Sequence, residues 1–232
     1  MKILPFVLVL VLTACGSETG NARLKNVKPG NVQFFETYPF NEILDSWSAA
    51  CTWVSAQDSL TPQEDPNGLA AFVQISPENM LAYVAEKDMT RVDSLLALPG
   101  VKNNFPKNLK FMWSFSSEKT PNGKAMFVLY AVKVPDSGKA IVDGRHIQHA
   151  ETAIADYNQM PVVRISMNDQ GAHDWEVMTR KNIGLAIAIT IDNRVLSCPV
   201  VNDAISGGET EISGNFSKAE AEELAARINF GK

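Results

Sequence analysis

Residues 184–216, GLAIAITIDNRVLSCPVVNDAISGGETEISGNF, restrict this chain more than any other stretch. Positions 185–191 are a continuous apolar run rich in β-branched isoleucine, too short for a long helix and suited to a strand buried on both faces. Asp192 and Asn193 both tolerate left-handed backbone, so residues 195–201 are expected to return antiparallel. Pro199 has no amide hydrogen for a ladder, which puts that second strand at an edge or a bulge. Gly207 and Gly208 let the backbone turn again before a third strand at 209–213 that empties into a helix.

That last helix is fully specified. Ser217 caps it, Glu220 completes a capping box, and Ala221, Leu224, Ala225 and Ile228 form its buried stripe. Glu222 and Glu223 lie early, Arg227 late and Gly231 past the end, in accord with the helix dipole.

At the other terminus, Lys2 and an apolar segment at 3–12 too short to span a bilayer precede Leu12-Thr13-Ala14-Cys15. Small residues before a cysteine resemble a bacterial lipobox, which implies a signal peptide over 1–14 and lipid attachment, palmitate included, at Cys15. The other reading is an ordinary secretory signal with an incidental cysteine. Residues 15–30 are polar and aperiodic and read as a flexible tether. Later segments hold nothing near the ~18 consecutive apolar residues of a membrane span. The two remaining thiols, Cys51 and Cys198, sit in an oxidising compartment and could bridge, but spacing alone does not bring their Cα atoms within the required ~7 Å.

Over 31–37 the pattern predicts a strand, followed by a helix from about Pro39 with Ile43, Trp47, Ala50 and Val54 on one face. Residues 61–68 form a proline-rich loop. A strand at 81–85, a helix at 89–98 stopped by Pro99-Gly100, and strands at 109–115 and 125–134 complete a split βαβ pattern. Residues 135–138 mark a boundary. Beyond it, 145–157 has helical composition, Val163, Ile165 and Met167 alternate along a strand, and Asp169 is a plausible cap for a helix bearing Ala172, Trp175 and Met178.

The glycine pair, E-I-S-G-N-F and the helix opening S-K-A-E-A, together with P-V-V-R-I-S-M-N-D-Q-G-A at 161–172 and T-R-K-N-I-G at 179–184, resemble the head subdomain of the first periplasmic domain of SecD, a subunit of the Sec protein-export machinery. V-Q-F-F-E-T-Y at 32–38 is similar to the strand that opens the same domain in SecDF fusions. The resemblance implies an α+β fold of two subdomains, each a small antiparallel or mixed sheet packed with helices: a base-like unit over 31–135 and a head-like unit over 140–232. In SecD the corresponding last helix leads on to membrane helices whose carboxylates couple proton flow to movement. With the chain stopping at Lys232, no proton-driven motor is expected of it.

Sites for chemistry are weak. The net charge of −5 and the absence of basic runs with interleaved aromatics argue against nucleic acid. His146 and His149 would share a helix face, with His173 and Asp174 as further ligands, yet a solvated polar face explains them as well, and no metal or cofactor is expected. Ser197 and Ser206 lack a G-x-S-x-G frame. Asp192, Asp203 and Glu209 read as solvated turn residues, and the glycine pair is not a phosphate loop. Phe111, Trp113 and Phe115 alternate onto one strand face, with Phe127 and Tyr130 on the next strand.

The expectation is therefore a non-enzymatic envelope lipoprotein without catalytic residues. It would be lipid-anchored through Cys15, face the periplasm from a membrane that sequence does not specify, and bind exported polypeptides or Sec components. Shallow hydrophobic capture and strand addition, with 195–201 as one candidate edge, would supply the contact. The alternative is a stand-alone lipoprotein that holds another ligand or partner on a SecD-like scaffold.

Overall fold

The computed structural model describes residues 27–57, 69–70, 74–75, 82–119 and 123–232. Cys15, the signal segment and the 61–68 loop lie outside them. In chain order the elements are β1 (Val32–Glu36), α1 (Phe40–Ser55), β2 (Gln74–Ile75), β3 (Ala82–Val84), α2 (Met89–Leu96), α3 (Pro99–Lys102), β4 (Leu109–Trp113), β5 (Glu118–Lys119) and β6 (Ala125–Lys133). They continue with β7 (Val142–Asp143), β8 (Ile147–Ile154), β9 (Pro161–Met167), α4 (Asp169–Lys181), β10 (Ile187–Ile191), β11 (Arg194–Ser197), β12 (Glu209–Ile212) and α5 (Lys218–Phe230). The strands form three antiparallel sheets, β11-β10-β1-β7, β12-β9-β8 and β2-β3-β6-β4, with β5 added to β6, and the fold is α+β.

All five residues of β10 are buried, as a strand with neighbours on both sides requires. Its hairpin to β11 turns through Asp192 at φ 49° and Asn193 at φ 62°, the left-handed pair that a two-residue loop demands. The register shifts between Ile189 and Thr190, and β11 stops at Ser197, two residues short of Pro199. In α1 the buried residues are Ile43, Trp47, Ala50 and Val54, the stripe its periodicity predicts. The capping box at Ser217 and Glu220 is formed, and Ala221, Leu224, Ala225 and Ile228 are buried.

Several expectations need correction. Residues 147–154 are a strand, not a helix: Gln, Ala and Glu give helical composition, but Ile147 and Ala150 are buried in a ladder with β9, so tertiary pairing overrides propensity. The third strand of the 184–216 stretch does not stay beside the second; β12 crosses to β9 in another sheet. Pro99 ends α2 and at the same time opens the one-turn helix α3, where its missing amide is harmless. Asn168, not Asp169, caps α4, its side chain accepting a hydrogen bond from the Gly171 amide. Finally, β1 falls in the amino-terminal of the two expected units, yet it pairs along its whole length with β10.

The placement of β1 follows from its phenylalanines. Phe34 and Phe35 point to opposite faces, as neighbours on a strand must, and enter two different cores. Phe34 meets Trp175 edge-on, ring centroids 5.1 Å apart, in the core shared by β9, β10, β12, α4 and α5. Phe35 joins Ala188 and Val195 against Met112, Val128, Tyr130 and Val132, the layer where the β1 sheet meets the β6 sheet. A third core packs α1, α2 and α3 on the other face of β6.

Candidate functional site

Backbone hydrogen bonding distinguishes the sheet edges around the carboxy-terminal core. On β9 the Met167 amide donates to the Gly208 carbonyl at 2.9 Å, making these directly opposed residues a hydrogen-bonded pair. Alternation along an antiparallel ladder then turns the amide and carbonyl groups of Glu209 and Glu211 away from β9, to the free side of β12. On the opposite edge of the same sheet the equivalent outward groups belong to Ala150 of β8. They are occupied, because the Asn229 side chain accepts from the Ala150 amide at 3.0 Å and donates to its carbonyl at 2.7 Å. Lys232 adds a bond from its Nζ to the Gln148 carbonyl at 2.7 Å. The β8 edge is thus covered at Gln148 and Ala150 by side chains from the end of α5, while among the described residues no such cover lies over the outward groups of Glu209 and Glu211.

The β11 edge behaves differently from its sequence expectation. Val195 is 2% exposed, and its carbonyl accepts from the Phe115 amide at 2.7 Å, so the end of β4 already occupies the middle of that edge. Residues 199–201 are held from the other side, with Ile187 donating to the Pro199 carbonyl and Val201 donating to the Leu185 carbonyl. This strand does not offer the free edge that Pro199 suggested.

Beside the open edge lies a cavity of about 490 Å³, lined by residues 209–211 of β12, the 199–205 segment, Arg164, Ile189 and Trp175. Arg164 donates to Glu211 at 2.7 Å on the outer face. Asp203, Glu209 and Glu211 against that one guanidinium leave an acidic rim. Trp175 is 2% exposed, and its Nε1 is the one buried side-chain nitrogen or oxygen among the described residues that lacks a hydrogen-bond partner. A buried polar group in that state costs about 1–3 kcal/mol. Sequence reading placed Trp175 on the buried face of α4, where it lies, but nothing in a sequence shows that a buried indole will lack an acceptor.

A second cavity, about 980 Å³, lies between α2, α3 and β4, with Phe105, Phe111, Lys102, Lys107 and Lys110 in its wall. Of the strand aromatics, Phe111, Trp113 and Phe127 pack in the helix-covered core, Tyr130 faces the opposite layer, and Phe115 is 38% exposed beneath Arg227.

The other sequence candidates are not assembled into sites. His146 lies in a short turn of 3-10 helix and His149 in β8, so the shared helical face does not exist. His146 Nδ1 accepts from the Asp143 amide at 3.1 Å, and His149 faces Glu151 at 3.9 Å. Among the described residues no group of three or more His, Cys, Asp or Glu is arranged to hold a metal. Asp192 ties termini of elements together, accepting from the Asn31 amide at 2.9 Å and from Arg227 at 2.6 Å. Cys51 and Cys198 are free thiols packed in different cores, and burial raises the pKa of each, that of Cys198 to about 12. Gly207 and Gly208 have φ of 83° and 72° and serve the turn into β12.

Fold and groove together define an α+β scaffold in which, among the described residues, the β12 edge lies beside an apolar, acid-rimmed cavity. Residues 120–232 match the family model for SecDF, P1 head subdomain. The chain is 29% identical over 177 residues to protein translocase subunit SecD of Rhodothermus marinus, covering 74% of this chain and 27% of that protein. To SecD of Rickettsia prowazekii it is 38% identical over 93 residues, covering 40% of this chain and 18% of the relative. A solved structure of the membrane component SecDF overlays with a TM-score of 0.38 at 19% identity, covering 86% of this chain and 93% of that one. The chain is SecD-like, as its motifs imply, and spans about a quarter or less of the length of these curated relatives. Among the described residues no helix is long and apolar enough to cross a membrane.

Proposed function

We propose that this chain is a non-enzymatic envelope lipoprotein, held at a membrane through Cys15 and facing the periplasm, that binds extended segments of exported polypeptides or of Sec components. The observation that carries the reading is the contrast between edges: β8 is closed by Asn229 and β11 by Phe115, whereas the outward backbone groups of Glu209 and Glu211 open onto a cavity. An edge whose outward backbone groups have no side chain laid over them, beside an apolar groove, suits strand addition by an extended peptide. Similarity to translocase subunits supplies the class of partner.

A photo-crosslinking amino acid at Glu209 and at Val200, in cells, tests this. Capture of unfolded exported chains or translocon subunits is the expected result; capture confined to folded partners unconnected with export overturns it. The anchor has its own check, since Cys15→Ser is expected to release the chain from the membrane fraction. A second reading, a lipoprotein for another ligand, is favoured by the roomier cavity between α2 and β4.

A further inference from the structure

We propose that the β12 edge selects amphipathic strands: an extended segment adding there is favoured when it carries apolar side chains at alternate positions with lysine or arginine between them, and disfavoured when acidic residues take those places. The inference rests on the strand-addition reading and adds to it the composition of the segment that binds.

Register divides the two faces of this sheet. Thr210 stands opposite Ile165 and Ile212 opposite Val163, and because Val163, Ile165 and Ile212 are buried in the core, these positions look inward. Glu209, opposite Ser166, and Glu211, opposite Arg164, stand on the outer face. A residue adding directly across from Thr210 shares its inward face. Ile189, Val201 and Ile205 line the cavity beside β12 and pack in the same core as Ile165, so the cavity lies on that inward side and suits an apolar side chain. On the outer face, charge alternates from strand to strand. Glu151 of β8 stands opposite Arg164 of β9, and Arg164 donates to Glu211 of β12 at 2.7 Å. That row reads minus, plus, minus, and stops at the edge. The row beside it runs from His149 through Ser166 to Glu209, which is exposed and has no ion-pair partner among the described residues. Residues across from Glu209 and Glu211 on an added strand continue both rows, where a cation is attracted and a carboxylate repelled.

Binding of short synthetic peptides to the full chain tests this, with valine at alternate positions and Lys, Gln or Glu at the positions between. At low salt the Lys peptide is expected to bind about threefold more tightly than the Gln peptide, a ratio typical of an exposed cross-strand ion pair, and the Glu peptide more weakly than either. Added salt should draw the three together. The chain carries a net charge of −5 and attracts any cationic peptide, so two controls isolate the edge. A peptide of the same composition, with its lysines and valines in separate blocks, should bind more weakly than the alternating one. Glu209→Gln should reduce the ratio of Lys to Gln affinity, whereas Asp45→Asn, which removes the same charge from an exposed position of α1, should leave that ratio unchanged. If no alternating peptide binds, the strand-addition reading fails, and this inference with it. If the peptides bind but Lys and Gln are equivalent, Glu binds best, the blocked peptide does as well as the alternating one, or the two variants alter the ratio alike, the charge selection alone is overturned.

Discussion

Asp143 shows how one side chain fixes a local structure through its charge. Its carboxylate accepts from the Arg145 amide at 3.0 Å and from the Arg145 side chain at 2.9–3.2 Å, capping the turn that leads into β8. Burial by itself raises the carboxyl pKa, but these bonds and the positive charge of Arg145 outweigh it and hold it below the ordinary value. The folded state therefore binds this proton less well than the unfolded chain, whose aspartates titrate near ~3.9. The stabilisation is fully present above that pH and is lost as pH falls toward the lower folded value. Asp143→Asn should flatten the acid limb of stability below about pH 4, as followed by urea unfolding at a series of pH values; an unchanged acid limb would remove Asp143 from the account. Residue-level legibility was uneven in the same way. Ser217, Glu220 and the Asp192–Asn193 turn were readable because they act on backbone within four positions of themselves. Arg164 with Glu211, and Asn229 with Ala150, were not, since each partner lies 47 or 79 residues away.

At the scale of elements, periodicity was readable wherever one face alone is buried, as in α1, α2 and α5. It failed at β8, an edge strand with a bulge between Ile147 and His149 whose eight residues bury just two, Ile147 and Ala150. A strand so exposed has little alternation to display, and its alanines and glutamate imitate a helix. The same exposure explains why its edge needs Asn229. Asn229→Ala would leave the Ala150 amide and carbonyl without a partner at a position 2% exposed, so a loss of about 1–3 kcal/mol is expected in denaturant unfolding. The freed edge should also promote self-association, visible in sedimentation as a concentration-dependent larger species. If Asn229→Ala is as stable and as monomeric as the parent chain, the side-chain closure of β8 is incidental, and the contrast with β12 loses its meaning.

For the molecule as a whole, local sequence announced β1 as a strand and left its partner hidden. Residues 31–37 read correctly as a strand, but partner choice in a sheet is decided by long-range packing, and a strand with apolar residues on both faces suits any central slot. Here β1 occupies the slot between β10 and β7, Val32 opposite Ile191 through Glu36 opposite Ile187. The family-model match begins at residue 120 and leaves β1 out. A fragment confined to residues 120–232 would expose one edge of β10, strip Val32 and Phe34 from the core around Trp175, and leave β7 with no strand beside it. Ile187, Ile189 and Ile191, each no more than 1% exposed in the full chain, would then flank a flat apolar edge of the kind that pairs with other copies. The fragment is expected to aggregate or to lack a cooperative thermal transition, whereas the chain from residue 27 onward unfolds cooperatively. A peptide carrying residues 31–37, added in trans, should restore some native signal by taking the vacant place. A monomeric, cooperatively folding 120–232 fragment would show that the carboxy-terminal core is self-sufficient, and that β1 is a tie between the halves and not a part of that core.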